Sequence, residues 1–159
     1  MATNKHFIEE VNRHTVSDLK ISYYPKMRNS DRVMVHRSGE AYQLFLEKWD
    51  MDTIHLVESA YLMLLNRGNR VLGIMPISIG GLTGTVVDPR VVFRYALVAG
   101  AAGIMLAHNH PSGNLTPSKA DELVTQKIKQ TAWCHDIQFM DHLIITPEGY
   151  LSMTDEGLL

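Results

Sequence analysis

The chain has 159 residues, of which 45% are hydrophobic and 20% charged, the make-up of one globular domain with a real core. A formal net charge of −2 excludes the strongly basic balance of proteins that hold nucleic acid or anionic membrane by bulk electrostatics. A single cysteine, Cys134, excludes an intramolecular disulfide and an all-thiolate metal site. No apolar run is long enough to span a bilayer, and the opening MATNKHFIEEVNRH lacks the apolar stretch of a signal peptide. The expectation is a cytoplasmic protein with no membrane partner.

In chain order, residues 1–30 read as a polar arm with ISYYP (21–25) as its one strand-like piece, and the domain proper runs over 31–159. DRVMV (31–35) reads as extended. Ser38 is a candidate N-cap for a helix over 39–49, where Tyr42, Phe45, Leu46 and Trp49 form an apolar stripe. ESAYLMLLN (58–66) reads as a buried strand, RGN (67–69) as a hairpin connection and RVLGIMPIS (70–78) as its partner strand. The glycines of GGLTGTVVD (80–88) suggest a bend before another short strand.

Asp88-Pro89 predicts a helix start, and that helix runs to about Ala99 with Val92, Tyr95, Ala96 and Ala99 on one face. AGIMLA (102–107) is a continuous apolar run suited to a central strand. A second helix is predicted from about Thr116-Pro117 to Trp133. IQFMDHLIIT (137–146) and GYLSMT (149–154) then read as strands joined by a turn at 147–149. Helices alternate with strands, so the class is α/β or α+β with a mixed sheet.

Chemistry concentrates in AHNHPSGNLTPSKAD (107–121). His108 and His110 follow a buried strand two residues apart, so both imidazoles project to one side. The Pro-Ser-Gly turn reverses the chain, and Asp121, expected on the second turn of the next helix, can face back toward them. Two imidazoles and a carboxylate suit Zn²⁺ and leave a fourth position for water, as in catalytic rather than structural zinc sites. Glu58, the acidic residue that opens the first buried strand, is the candidate proton acceptor. Ser118 would lie near the same mouth and could donate to a developing oxyanion.

Each residue also has a plainer role. Paired histidines at a strand end are often surface residues, Asp121 would complement a helix dipole, and Ser118 would serve as a cap. His6, His14, His36, His55 and His135 read as solvated or packed side chains. His142 reads first as a locally bonded core histidine, with a supporting role behind the metal ligands beside Asp141 as the alternative.

The spacing His108-x-His110-x7-Ser118-x2-Asp121 resembles the JAMM (MPN+) metallo-isopeptidase motif. HNHPSGNLTPSKAD, with DPR upstream and DHLII and DEGLL downstream, is similar to the RadC branch of that superfamily over about 31–159. The resemblance implies a cytidine-deaminase-like JAMM fold, a curved mixed sheet flanked by helices. It implies one zinc per chain held by His108, His110 and Asp121, with Glu58 as the catalytic glutamate and Ser118 assisting. The implied activity is metalloprotease hydrolysis of an amide bond in a peptide or protein substrate. The alternative is a DNA-repair-associated or DNA-binding accessory of the RadC family with a vestigial or regulatory metal site. The arm shows no helix-hairpin-helix pattern, and Ala60 stands where many relatives carry an aromatic. A zinc deaminase would need cysteine ligands that one Cys134 cannot supply.

Overall fold

Strand β1 (Ser59–Leu65), sequence SAYLMLL, is buried at every position, which makes it the middle of the molecule rather than an edge. The computed structural model describes residues 20–80 and 84–159. Around β1 lie β2 (Val71–Ile79), β3 (Gly103–Asn109), β4 (Gln138–Thr146) and β5 (Gly149–Ser152), in the order β2-β1-β3-β4-β5. β1 runs antiparallel to β2 and β3, β3 is parallel to β4, and β4 antiparallel to β5. The parallel pair is joined through a helical crossover, since parallel neighbours need a long connection. The result is a mixed five-stranded sheet flanked by three helices.

The strand period of two sorts side chains between two cores. Tyr61, Met63 and Leu65 pack with Met105 and Ala107 against α1 (Ser38–Leu46), which ends before the expected position 49. Phe45 on the helix and Trp49 just beyond it complete the cluster. Leu62, Leu64, Ile104 and Leu106 face α2 (Pro89–Ala99) and α3 (Lys119–Cys134), meeting Phe93, Ala96 and Ile128. Full burial of each such aliphatic side chain contributes about 1.5–3 kcal/mol.

Several sequence expectations are corrected here. ISYYP forms no strand. Instead Tyr23 donates to the Leu72 carbonyl at 2.9 Å, and Arg32 donates to the carbonyls of Val71 and Leu72 beside it. Helix α1 begins at Ser38 itself with Arg37 as N-cap, and the Ser38 hydroxyl donates to Asp155 across the chain instead of accepting from a helix N–H. Of the residues 80–88, those at 81–83 lie outside the described residues, and 85–88 are irregular rather than a strand. Asp88 does cap α2, accepting from the Arg90 N–H at 2.9 Å, and Pro89 follows it. The buried face of α2 carries Phe93 where Tyr95 was expected, and Tyr95 is exposed.

Candidate metal centre

His108 is the next-to-last residue of β3 and points to the α2/α3 side of the sheet, as Leu106 does two residues earlier. His110 stands just past the strand end, its N–H still bonded to the Ile145 carbonyl. The chain then turns through Pro111 and Ser112, closed by the Gly113 N–H donating to the His110 carbonyl at 3.0 Å. Gly113 sits at φ 77°, a left-handed conformation that a side chain would strain.

Helix α3 starts at Lys119, later than predicted, so Asp121 lies on its first turn rather than its second. Ser118 and Asp121 form a reciprocal cap. The Asp121 N–H donates to Ser118 Oγ at 3.2 Å, and the Ser118 N–H donates to Asp121 Oδ2 at 2.7 Å. The Ser118 hydroxyl also donates to Asp121 Oδ2 at 2.6 Å. Ser118 therefore acts on the carboxylate, which frees Oδ1 to face the histidines.

Three ligand atoms converge. His108 Nε2 lies 3.0 Å from His110 Nε2 and 3.2 Å from Asp121 Oδ1, and His110 Nε2 lies 3.7 Å from Asp121 Oδ2. Tetrahedral bonds of ~2.0 Å to nitrogen or oxygen put neighbouring ligand atoms roughly 3.3 Å apart, so the spacing suits one small ion. Among the described residues, His108, His110 and Asp121 form a group able to hold a metal. Burial opposes ionisation of Asp121, but hydrogen bonds from His108 and His110 outweigh it and hold the carboxyl well below the usual range. The same bond with Asp121 raises the His110 pKa against a partial loss of solvent.

The opposite nitrogens decide which ring atom each histidine presents. His110 Nδ1–H donates to the Asn114 carbonyl. His108 Nδ1 is 2.9 Å from His142 Nε2, and His142 Nδ1 is 2.6 Å from Thr125 Oγ1. The Thr125 hydroxyl donates in turn to Met153 Sδ at 3.3 Å. Protons run consistently along this line when His108 carries its hydrogen on Nδ1, leaving the Nε2 lone pair free for an ion. The hydrogen bond from His108 Nε2 to Asp121 belongs instead to the metal-free, doubly protonated ring.

His142 is thus more than a locally satisfied core residue, the reading favoured from sequence. Burial, with the charge of His108 next, pushes its pKa well below the ordinary histidine value and keeps it neutral. Asp141 is not part of this line. Its carboxylate accepts from the His142 and Thr154 N–H groups and from Ser152 Oγ, joining β4 to the segment after β5. Thr125 escaped the sequence reading, although it lies four residues after Asp121 and so on the same face of α3.

Glu58 immediately precedes β1 rather than opening it. It lines an open cleft of about 360 Å³ together with His108, Asp121 and His142, walled by Val86, Val87, Leu123 and Val124. Its charge also contributes to the raised His110 pKa. His36, His55 and His135 are exposed, and His6 and His14 lie outside the described residues.

The RadC-like JAB domain matches residues 35–158, which include every residue of the cleft and the metal group. The chain belongs to the RadC-like JAB domain family. Among relatives of this RadC-like domain is a UPF0758 protein of Flavobacterium johnsoniae, 46% identical over 101 residues, 64% of this chain and 44% of that one. A UPF0758 protein of Symbiobacterium thermophilum is 40% identical over 103 residues, covering 65% of this chain and 44% of its own. One from an Acidovorax species is 39% identical over 125 residues, 79% and 52% of the two chains. The RadC-like chain therefore spans about half the length of the curated relatives it matches. No helix among its described residues is long and apolar enough to cross a membrane.

Proposed function

We propose that this RadC-like domain is a zinc-dependent hydrolase that cleaves an amide bond in a peptide or protein substrate. One observation carries the reading: two imidazole nitrogens and a carboxylate oxygen converge at tetrahedral spacing beside a cleft that also holds Glu58. Nitrogen and oxygen donors from three protein ligands suit zinc and leave one coordination position open. Bound there, zinc would supply a Lewis acid and lower the pKa of a water it holds.

The remaining work falls to the chain itself. Glu58 accepts the proton of the attacking water and returns it to the leaving amine. Ser118, whose hydroxyl and backbone N–H both donate to Asp121 Oδ2, orients that carboxylate rather than donating to the carbonyl oxygen. His142 and Thr125 hold the His108 ring in one tautomer. Val86, Leu123 and Val124 give the cleft apolar walls that exclude water around the substrate. A role as a DNA-repair accessory would call for duplex binding that a net charge of −2 does little to support.

The test begins with elemental analysis of purified wild type and of a His108→Ala/His110→Ala double variant. About one zinc per chain is expected in the first and little in the second. Zinc-loaded wild type should then cleave members of a quenched-fluorescence peptide library. Equal zinc in both proteins would sink the assignment.

A further inference from the structure

Asn109 stands between the two candidate metal ligands in sequence, yet its side chain faces the other side of the sheet. It is 0% exposed. Its Oδ1 accepts the Ser59 N–H at 2.7 Å, and its Nδ2 donates to the carbonyls of Ile54 at 2.6 Å and Val57 at 2.9 Å. The partners leave no choice in the amide's orientation, because an N–H can only donate and a carbonyl can only accept. Two of those partners, Val57 and Ser59, are the residues on either side of Glu58.

The β1–β3 ladder explains why a side chain is needed here. Its last pair is Ala60 with His108, so the strands' own hydrogen bonds register nothing beyond Ala60. Ser59 and Glu58 lie past that point, where the Asn109 amide takes over the Ser59 N–H. The Glu58 carbonyl is held from the opposite strand by the Gly80 N–H at 2.7 Å. Glu58 is therefore fixed through its neighbours to the same strand end that carries His108 and His110.

We propose that Asn109 is a positioning residue that locks the Glu58-bearing turn in register with the metal ligands. The proposal rests on Glu58 as the base. A base must lie within hydrogen-bond reach of the proton it takes, and a displacement of about 1 Å can cost roughly a hundredfold in rate. Replacing Asn109 leaves two carbonyls and one N–H without a partner in the interior, so the turn should loosen while the sheet continues to hold both histidines.

Wild type, Asn109→Ala, Asn109→Ser and Glu58→Gln, all loaded with zinc, would be compared in three measurements. These are zinc content, hydrogen exchange at the amides of residues 55–59, and turnover of the quenched-fluorescence peptide library. Both Asn109 variants should keep their zinc and exchange the Ser59 amide roughly tenfold faster or more. Their kcat should fall roughly ten- to a hundredfold with KM within about twofold, and full zinc content separates this from loss of folded protein, which would lose metal and turnover together. Unchanged Ser59 exchange, zinc lost in step with activity, or a change confined to KM would each overturn the proposal. Turnover that survives Glu58→Gln removes the base, and the catalytic part of this role with it, while exchange and zinc content still decide whether the clamp exists. In wild type alone, the Asn109 side-chain NH₂ should exchange slowly. Rapid exchange there overturns the clamp even if neither variant folds.

Discussion

His108 and His142 face each other across adjacent parallel strands, with Nδ1 and Nε2 2.9 Å apart. The contact is diagonal, because Leu106 pairs with His142 in the ladder and His108 pairs with Ile144. Both rings therefore lie on the α3 side of the sheet, and Thr125 on α3 closes the line behind them. A neutral, buried imidazole in that place accepts a hydrogen bond that a solvated side chain would share with water.

His142→Ala should lower zinc affinity roughly ten- to a hundredfold by freeing the His108 ring. It also leaves Thr125 and His108 without their buried partner, at a cost of about 1–3 kcal/mol of stability. Competition with a chromogenic chelator and thermal melts of the metal-free protein check the two effects separately. Unaltered zinc affinity would reduce His142 to a filler of the core.

Glu58 and Asp121 are both carboxylates on the cleft, but they should respond differently to loss of charge. Glu58→Gln should keep zinc and melting temperature near wild type while amide turnover falls by roughly a hundredfold or more. Asp121→Asn should instead lower zinc content, since that oxygen is a candidate ligand. If both variants hold zinc and cleave as wild type does, the metal and base roles both fail.

Asp88, at the start of α2, offers a pH test on a group that is not a candidate metal ligand. Hydrogen bonds from the Arg90 side chain and then its backbone push the Asp88 carboxyl down to about 2. The folded value lies below the unfolded value of about 3.9, so the charge stabilises the fold above that value. The contribution is lost as pH falls through the folded value. Asp88→Asn keeps a capping side chain but no charge. The melting-temperature gap between wild type and Asp88→Asn should be full above about pH 4 and shrink toward pH 2. A gap that is constant over this range would contradict the shift.

Duplex DNA should bind weakly and with steep salt dependence, given the net charge of −2. Fluorescence anisotropy with a labelled duplex at low and physiological salt is the measurement. Sub-micromolar binding that persists at physiological salt would favour the accessory role over hydrolysis.

Much of this molecule was legible because its signals are local. Asp88-Pro89 announces α2, since a capping carboxylate and a ring with fixed φ act within one turn. The His108-x-His110 pair and the Ser118-x2-Asp121 cap are likewise set by strand and helix periods, which place their side chains whatever the rest of the chain does. Element order also carried the mixed α/β class, and the motif residues around His108 carried the family resemblance.

Packing decided the rest. Tyr95 was expected on the buried face of α2 and Phe93 took it, because periodicity allows either residue and contact with the sheet selects one. Ser38, expected as the N-cap, became the first residue of α1, and its hydroxyl donates to Asp155, a partner 117 residues away. His142 gained its place behind His108 only when β4 settled beside β3 in one register, and a one-residue slip would have turned it to the other face. Asn109, sequentially inside the metal motif, reaches the turn around Glu58 because antiparallel pairing brings the start of β1 to the end of β3. Sequence determines which side chains can share a face through the fixed periods of helix and strand. Which faces meet depends on long-range burial and hydrogen bonding, and those exist only once the whole sheet has assembled.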